Sequence, residues 1–302
     1  MKNKFLCLCL AVLALPALLQ AAEPPLRVVT LHPILTEFAS EIGGDAVVVE
    51  GLVAGGVDPH TFEPTPKQVA AARAADLVLA CGLHLEDFLG RIADGAGPSV
   101  HVLRVGDHLP VILMLTDDPA DSVLFGSGEQ DPHWWHSLTN ALFATDLIRA
   151  ELTRLHPADA AAFARRAQGL QQRLFALQAW AAEEIRQLPP AKRHLFTNHD
   201  AFGYLARDYG FTVHPLGGLS TESEPDARHV AALIEEVRHL GVKAVFAEDA
   251  TAARGIRTLA AETGAALPPP LFADGPGVPG SAGATYEAMY RYNLETIVNA
   301  LR

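Results

Sequence analysis

Four side chains of cation-binding type stand far apart in this 302-residue chain. They are His60 in Gly-Gly-Val-Asp-Pro-His-Thr-Phe-Glu-Pro-Thr-Pro, His133 in Asp-Pro-His-Trp-Trp, His199 in Phe-Thr-Asn-His-Asp and Asp274 in Leu-Phe-Ala-Asp-Gly. Three neutral imidazoles and one carboxylate form a donor set that suits Zn2+, which takes nitrogen and oxygen ligands near 2.0–2.2 Å in a tetrahedron. Mn2+ favours more oxygen and would be better served by a second carboxylate in place of an imidazole. Spacings of roughly seventy residues define no metal motif by themselves. Any one of the thirteen histidines is more often a surface or helix-end residue than a ligand, so the chemistry depends on a fold that brings these four together.

The elements that must do this follow from hydrophobic periodicity. Residues 27–32 form a β-branched run ended by Pro33, and 34–42 carry helical spacing up to Gly43-Gly44. Further apolar runs at 46–53, 76–81 and 99–105 read as strands, with helical patterns at 67–74 and 84–93 between them. His60 then falls on a loop at a strand's carboxyl end, where ligands bind in α/β folds. In the second half, strands are expected at 194–197, 212–216, 244–247 and 271–273, and helices at 202–209, 226–240, 252–263 and 285–301. Alternating strands and helices predict parallel sheets flanked by helices.

Between the halves, Phe163, Ala167, Leu170, Leu174, Leu177, Ala181, Ile185 and Leu188 step by three and four along one helical stripe, from Pro157 to the stop at Pro189-Pro190. A helix of about 30 residues is roughly 45 Å long, enough to join two lobes rigidly. The expected class is therefore α/β, with two lobes, each a parallel four-stranded sheet flanked by helices, joined by one long backbone helix. The expected division is a signal peptide at 1–21, an N-terminal lobe at 22–156, a linking helix at 157–189 and a C-terminal lobe at 190–302. Residues 115–130, with Asp117, Asp118, Asp121 and Glu129 but no usable periodicity, read as a mobile, solvated acidic loop.

Lys2 and Lys4, the apolar run to Leu19, and Ala21-Ala22 form an export signal removed by cleavage. No later stretch reaches the roughly 20 apolar residues of a spanning helix, so a soluble periplasmic protein is expected. Cys7 and Cys9 lie inside the apolar run and not at the cleavage site, so the mature protein is expected not to be a lipoprotein, and Cys81 is left without a disulfide partner. Loss of the two lysines takes the formal charge from -12 to -14, which argues against nucleic acid and anionic membrane surfaces as partners.

The blocks Asp58-Pro-His-Thr-Phe-Glu-Pro-Thr-Pro66, Asp131-Pro-His-Trp-Trp135 and His199-Asp-Ala-Phe-Gly-Tyr-Leu-Ala206 with Tyr209-Gly210 resemble the ligand blocks of the solute-binding proteins of zinc and manganese ABC importers. The likeness covers nearly the whole mature chain. It implies two lobes bridged by a rigid helix, metal ligation by His60, His133 and His199, and Asp274 as the final acidic ligand by its place after the last strand. Histidine at 199 resembles the zinc-binding members, since the manganese-binding members typically carry glutamate there.

The chain departs from that pattern in three places. His136-Ser137-Leu138 replaces a usual Leu-Asp-Pro, which makes His136 an alternate ligand. The long histidine-rich insertion of many zinc-type members is missing, with the acidic loop in its place. The last block reads Ala-Asp-Gly-Pro-Gly in place of Asp-Pro-Leu-Gly. Glu248 is a further candidate, as an alternate ligand or as a carboxylate that orients an imidazole, and His32 is expected to be structural. Glu222, Glu224 and Asp226 are expected to cap a helix.

The resulting expectation is a periplasmic, monomeric receptor that captures Zn2+ between its lobes and presents it to an ABC permease in the inner membrane, without bond chemistry and with only small lobe rotations. Two other classes compete. One is an extracellular adhesin or a periplasmic metallochaperone built on the same scaffold, and such a chaperone is also a candidate partner of the receptor. The other is a secreted zinc hydrolase with an open metal position and Glu248 as its base, although no His-Glu-x-x-His segment is present.

Overall fold

The computed structural model describes residues 23–86, 88–90, 92, 100–110, 113–114, 129–221, 227–248 and 254–302. The expected signal segment, residues 115–128 of the acidic stretch, and Glu222, Glu224 and Asp226 lie outside the described residues.

The first lobe is built on β1 (Leu26–Thr30), β2 (Val47–Gly51), β3 (Leu77–Ala80) and β4 (Val102–Arg104), all parallel in the order β2-β1-β3-β4. Every residue of β3 is buried, as a central parallel strand covered on both faces requires. Helices α1 (Pro33–Gly43) and α2 (Pro66–Arg73) each carry a proline in the first turn, where its missing N–H costs nothing. Thr65 and Gln68 close a capping box at the start of α2.

The helix expected from 84 does not begin there. Leu83 and His84 adopt positive φ, while the buried Glu86 carboxylate accepts the N–H groups of Cys81 (2.6 Å) and Gly82 (3.0 Å) and Asp107 accepts that of Leu83 (3.1 Å). The carboxylates hold the chain in a turn that has no hydrophobic period to announce it. Glu129 and Gln130, assigned above to the acidic loop, form β6 (Glu129–Gln130) and pair antiparallel with β5 (Leu113–Met114).

After α3 (Leu138–Leu155), capped by Ser137, the long helix α4 (Ala160–Arg186) runs for 27 residues, about 40 Å. It starts three residues later than Pro157, which instead opens a short 3-10 turn. Its buried residues are Phe163, Ala167, Leu170, Leu174, Leu177, Ala181 and Ile185, the stripe read from the sequence. That stripe packs on α1 and α3 on one side and on α8 (Tyr286–Leu301) on the other. One hydrophobic core runs from Val28 in β1 through α4 to Leu301 in α8 and takes in side chains of both lobes.

The second lobe holds β7 (His194–Thr197) and β8 (Thr212–Pro215), paired in parallel, with α5 (Gly203–Tyr209), α6 (Ala227–Leu240) and α7 (Arg254–Thr263). The expected four-stranded second sheet is less regular. Residues 244–247 lie beside β7 through Phe246 N–H to Phe196 C=O (2.8 Å) and join the following segments through Val245 N–H to Ala266 C=O (3.0 Å) and Leu271 N–H to Ala247 C=O (2.8 Å), but no continuous ladder forms there. Pro268, Pro269 and Pro270 remove three donors from that edge.

Leu174, fully buried at the middle of α4, anchors the core shared by both lobes. Leu174→Ala is expected to lower unfolding free energy by about 2–5 kcal/mol, measured by denaturant titration, with both lobes unfolding in one transition; two separate transitions would contradict the shared core.

Candidate metal centre

Each of the four chemically interesting side chains lies just beyond a strand's carboxyl end or before a helix. His60 is on the loop between β2 and α2, His133 on the turn between β6 and α3, His199 on the turn between β7 and α5, and Asp274 follows the extended segment 271–273. The structure brings all four together: one donor atom from each lies within 4.8 Å of the others. Nε2 of His60 is 3.2 Å from Nε2 of His133 and 3.4 Å from Oδ1 of Asp274; that oxygen is 3.7 Å from His133 Nε2 and 3.2 Å from His199 Nε2. A tetrahedron with bonds near 2.05 Å has edges of about 3.3 Å, so these four spacings of 3.2–3.7 Å fit an ion between the donors. His199 Nε2 and Asp274 Oδ1 are buried atoms without a well-aligned hydrogen bond, an arrangement that is costly unless a cation completes it.

Local hydrogen bonds aim these donors. In both Asp-Pro-His segments the aspartate accepts the histidine's backbone N–H, Asp58 from His60 at 2.8 Å and Asp131 from His133 at 2.9 Å, an Asx turn fixed by the short side chain. Asp131 also bonds His133 Nδ1 at 2.8 Å. Glu248 does the same for His199: one oxygen bonds Nδ1 and the other accepts the N–H groups of Asn198 and His199. A carboxylate on Nδ1 keeps the proton there and turns the Nε2 lone pair into the site.

Asp274 is held through its main chain. Trp135 Nε1 and His136 Nε2 both donate to the Ala273 carbonyl at 2.8 Å, and His32 Nε2 donates to the Asp274 carbonyl at 3.1 Å. Burial drives the pKa of His32 and of His136 down to about 3, so both stay neutral. Gly275 follows with φ +121°, and a Cβ there would lie 2.9 Å from the His32 ring. Tyr286 and Tyr290 on α8 donate to the carbonyls of Trp135 (2.6 Å) and His136 (3.2 Å), and Tyr204 on α5 donates to that of Asp131 (2.8 Å).

The charges are set for a cation. Burial pushes the Asp274 carboxyl up, but the three imidazoles outweigh it and hold the group well below the usual carboxylate range. Burial also opposes charge on His133 and His199, yet Asp131 and Asp274 raise the first, and Glu248 and Asp274 raise the second. Metal binding at His133 and His199 therefore competes with protons, whereas Asp274 is held in its ionised form.

Two sequence-derived alternates stand elsewhere. His136 is not in the cluster: its Nε2 is committed to Ala273 and its ring packs against Phe202. Glu248 grips His199 from behind and so orients a donor. The roles of Asp131, Asp58 and the Trp135–His136 donors went unread, although the repeated Asp-Pro-His tripeptide was a signal for the first two.

Two α/β lobes joined by a long helix, with a buried donor set between them, define a metal-binding substrate-binding protein of an ABC transporter. Residues 28–300 match the family described as zinc-uptake complex component A, periplasmic, and the chain belongs to that extracytoplasmic family. It is 33% identical over 289 residues to the manganese-binding lipoprotein MntA of Bacillus subtilis, covering 94% of this chain and 92% of that one. It is 31% identical over 275 residues to the iron-binding protein YfeA of Yersinia pestis, covering 90% and 85%. The solved periplasmic zinc-binding protein TroA of Treponema pallidum superposes with a TM-score of 0.82 at 31% identity, covering 92% of this chain and 99% of that one. A permease in the membrane is the partner this family implies, and the names of the relatives span three metals.

Glu248→Gln and Asp131→Asn keep shape but remove the negative charge behind an imidazole. Each is expected to weaken metal binding by about 10–100-fold, read by competition with a chelator, while the metal-free protein melts within a few degrees of wild type. Unchanged affinity in both variants would contradict the orienting role.

Proposed function

We propose that this protein is a periplasmic receptor that binds one Zn2+ through His60, His133, His199 and Asp274 and delivers it to its ABC permease. The observation that carries the reading is the donor set: three imidazole Nε2 atoms and one carboxylate oxygen within 4.8 Å of one another, with the oxygen 3.2–3.7 Å from each nitrogen, close to the edge of a zinc tetrahedron. Zinc is favoured over manganese because only one of the four side chains supplies oxygen. The relatives named for manganese and iron make metal choice the point to test. The proposed division is a removable segment at 1–21, lobes at 22–156 and 190–302, and the linking helix between them.

Capture and release follow from the walls of the cleft. His133 and His199 are buried at 0% and 3% side-chain exposure, whereas Asp274 is 21% exposed, so the ion enters and leaves past Asp274. The loops bearing His60 and Asp274 touch at the rim: Gly56 N–H bonds the Pro276 carbonyl at 3.0 Å, and a Cβ at Gly55 would lie 2.4 Å from the Gly277 carbonyl. Thr221 adds a bond to Asp58 at 2.7 Å. Parting these loops withdraws His60 from Asp274, whose main chain stays held by His32, Trp135 and His136, while the shared core holds the lobes, which supports small rotations over wide hinge closure. The engagement of Glu248 with His199 Nδ1 and two backbone N–H groups turns it away from the metal position, which disfavours the hydrolase reading. The Bacillus relative is named a lipoprotein, so kinship lends no support to the expectation that this chain lacks a lipid anchor.

Metal competition on the full exported protein tests the proposal. One tightly bound Zn2+ that Mn2+ and Fe2+ in excess do not displace is expected, with Asp274→Ala weakening it about 100-fold or more. Displacement by either competitor, or indifference to Asp274→Ala, would contradict it.

A further inference from the structure

The second lobe carries another imidazole pair, at the opposite end of β7 from His199. Nδ1 of His194 and Nε2 of His214 share one hydrogen bond at 3.1 Å, with ring centroids 5.3 Å apart and planes at 37°. The His60–His133 pair has the same form: nitrogens 3.2 Å apart, centroids 5.2 Å, planes at 49°. The likeness extends outward. Glu236 on α6 lies 3.3 Å from His214 Nδ1, as Asp131 lies 2.8 Å from His133 Nδ1, so a carboxylate again holds the proton on the far nitrogen and leaves Nε2 as the donor. His214 is further fixed by stacking on Phe196, with centroids 4.2 Å apart and planes at 7°.

The sheet explains the pairing. Phe196 and His214 are register partners, and His194 lies two residues before Phe196, so all three project from one face of the β7–β8 pair. The neighbouring Arg193 does not bring its charge to bear there. Its guanidinium donates to the carbonyls of Leu188, Tyr209 and Ile185. His194 is about 16 Å along the chain from His199 by strand geometry, too far to share an ion with it.

We propose that His194 Nδ1 and His214 Nε2 form a second, solvent-completed site for a divalent transition metal, with Glu236 orienting His214. Two imidazoles at the separation of one coordination edge suit Zn2+, which takes the place of the proton they share, with water in the remaining positions. Having half the protein donors of the cleft site, it binds more weakly. Its place at the far end of β7, with His214 buried and His194 half-buried, makes it independent of the cleft and of the function proposed for it.

Calorimetric titration of the metal-free full chain with Zn2+ tests this directly, using wild type, His194→Ala, His214→Ala and His60→Ala. Wild type is expected to take up a second equivalent at least about 100-fold more weakly than the first. His194→Ala and His214→Ala are expected to lose that second event and keep the first, and His60→Ala to keep the second while the first weakens. Because His214 is packed and its variant could misfold, His194→Ala, on a half-buried strand end, decides the matter. A wild type with one event only, or a second event that survives in His194→Ala, overturns the proposal. Failure of the tight event alone would overturn the cleft reading and leave this one standing.

Discussion

A largely covered carboxylate surrounded by three imidazole edges is held together in this fold before any cation arrives, and a network of ring N–H and hydroxyl groups on main-chain carbonyls serves that arrangement. Buried polar atoms left without partners are costly, and His199 Nε2 and Asp274 Oδ1 are two such atoms. What keeps them facing inward is a set of ring N–H groups on main-chain carbonyls: His32, Trp135 and His136 from the first lobe grip Ala273 and Asp274 of the second. The tyrosine hydroxyls of α5 and α8 return the grip on residues 131, 135 and 136. Side chains aimed in this way lose little further freedom when an ion binds, which favours affinity through preorganisation.

The same interlocking sets the mechanical character of the protein. Periplasmic receptors that close by a wide hinge need a linker free to bend, whereas here α4 buries one unbroken stripe between α1, α3 and α8. Bending it would open the core that both lobes share. Motion is cheaper at the rim, where one hydrogen bond, Gly56 N–H to the Pro276 carbonyl, joins the His60 and Asp274 loops and Thr221 ties Asp58 from the segment after β8. Binding geometry and release are thus assigned to different parts: anchored segments behind His133, His199 and Asp274, and a more separable loop carrying His60.

How much of this could be read from the sequence depended on the range of the interaction concerned. The α4 stripe was legible residue by residue, because helical periodicity is local and the positions from Phe163 to Ile185 repeat it without interruption. The second sheet was over-read: 244–247 and 271–273 have the composition of strands, but the prolines at 268–270 break the ladder that would join them. The turn at 83–84 was misread as helix because Glu86 and Asp107 act on backbone N–H groups, and that leaves no periodic trace. Convergence of His60, His133, His199 and Asp274 could not come from spacing, since tertiary structure alone closes gaps of that length; family resemblance supplied it. His136 stands outside the donor cluster and Glu248 takes the orienting one of its two expected roles, a choice the sequence left open because it cannot say which way a ring or a carboxylate points.

The most direct test of the central claim is X-ray absorption spectroscopy at the zinc edge of the full chain loaded with one equivalent of Zn2+. Three imidazole nitrogens and one oxygen near 2.0–2.1 Å, with the outer-shell scattering of three rings, are predicted. A shell dominated by oxygen, or one with fewer than three imidazoles, would contradict the assignment of His60, His133, His199 and Asp274 as the ligands.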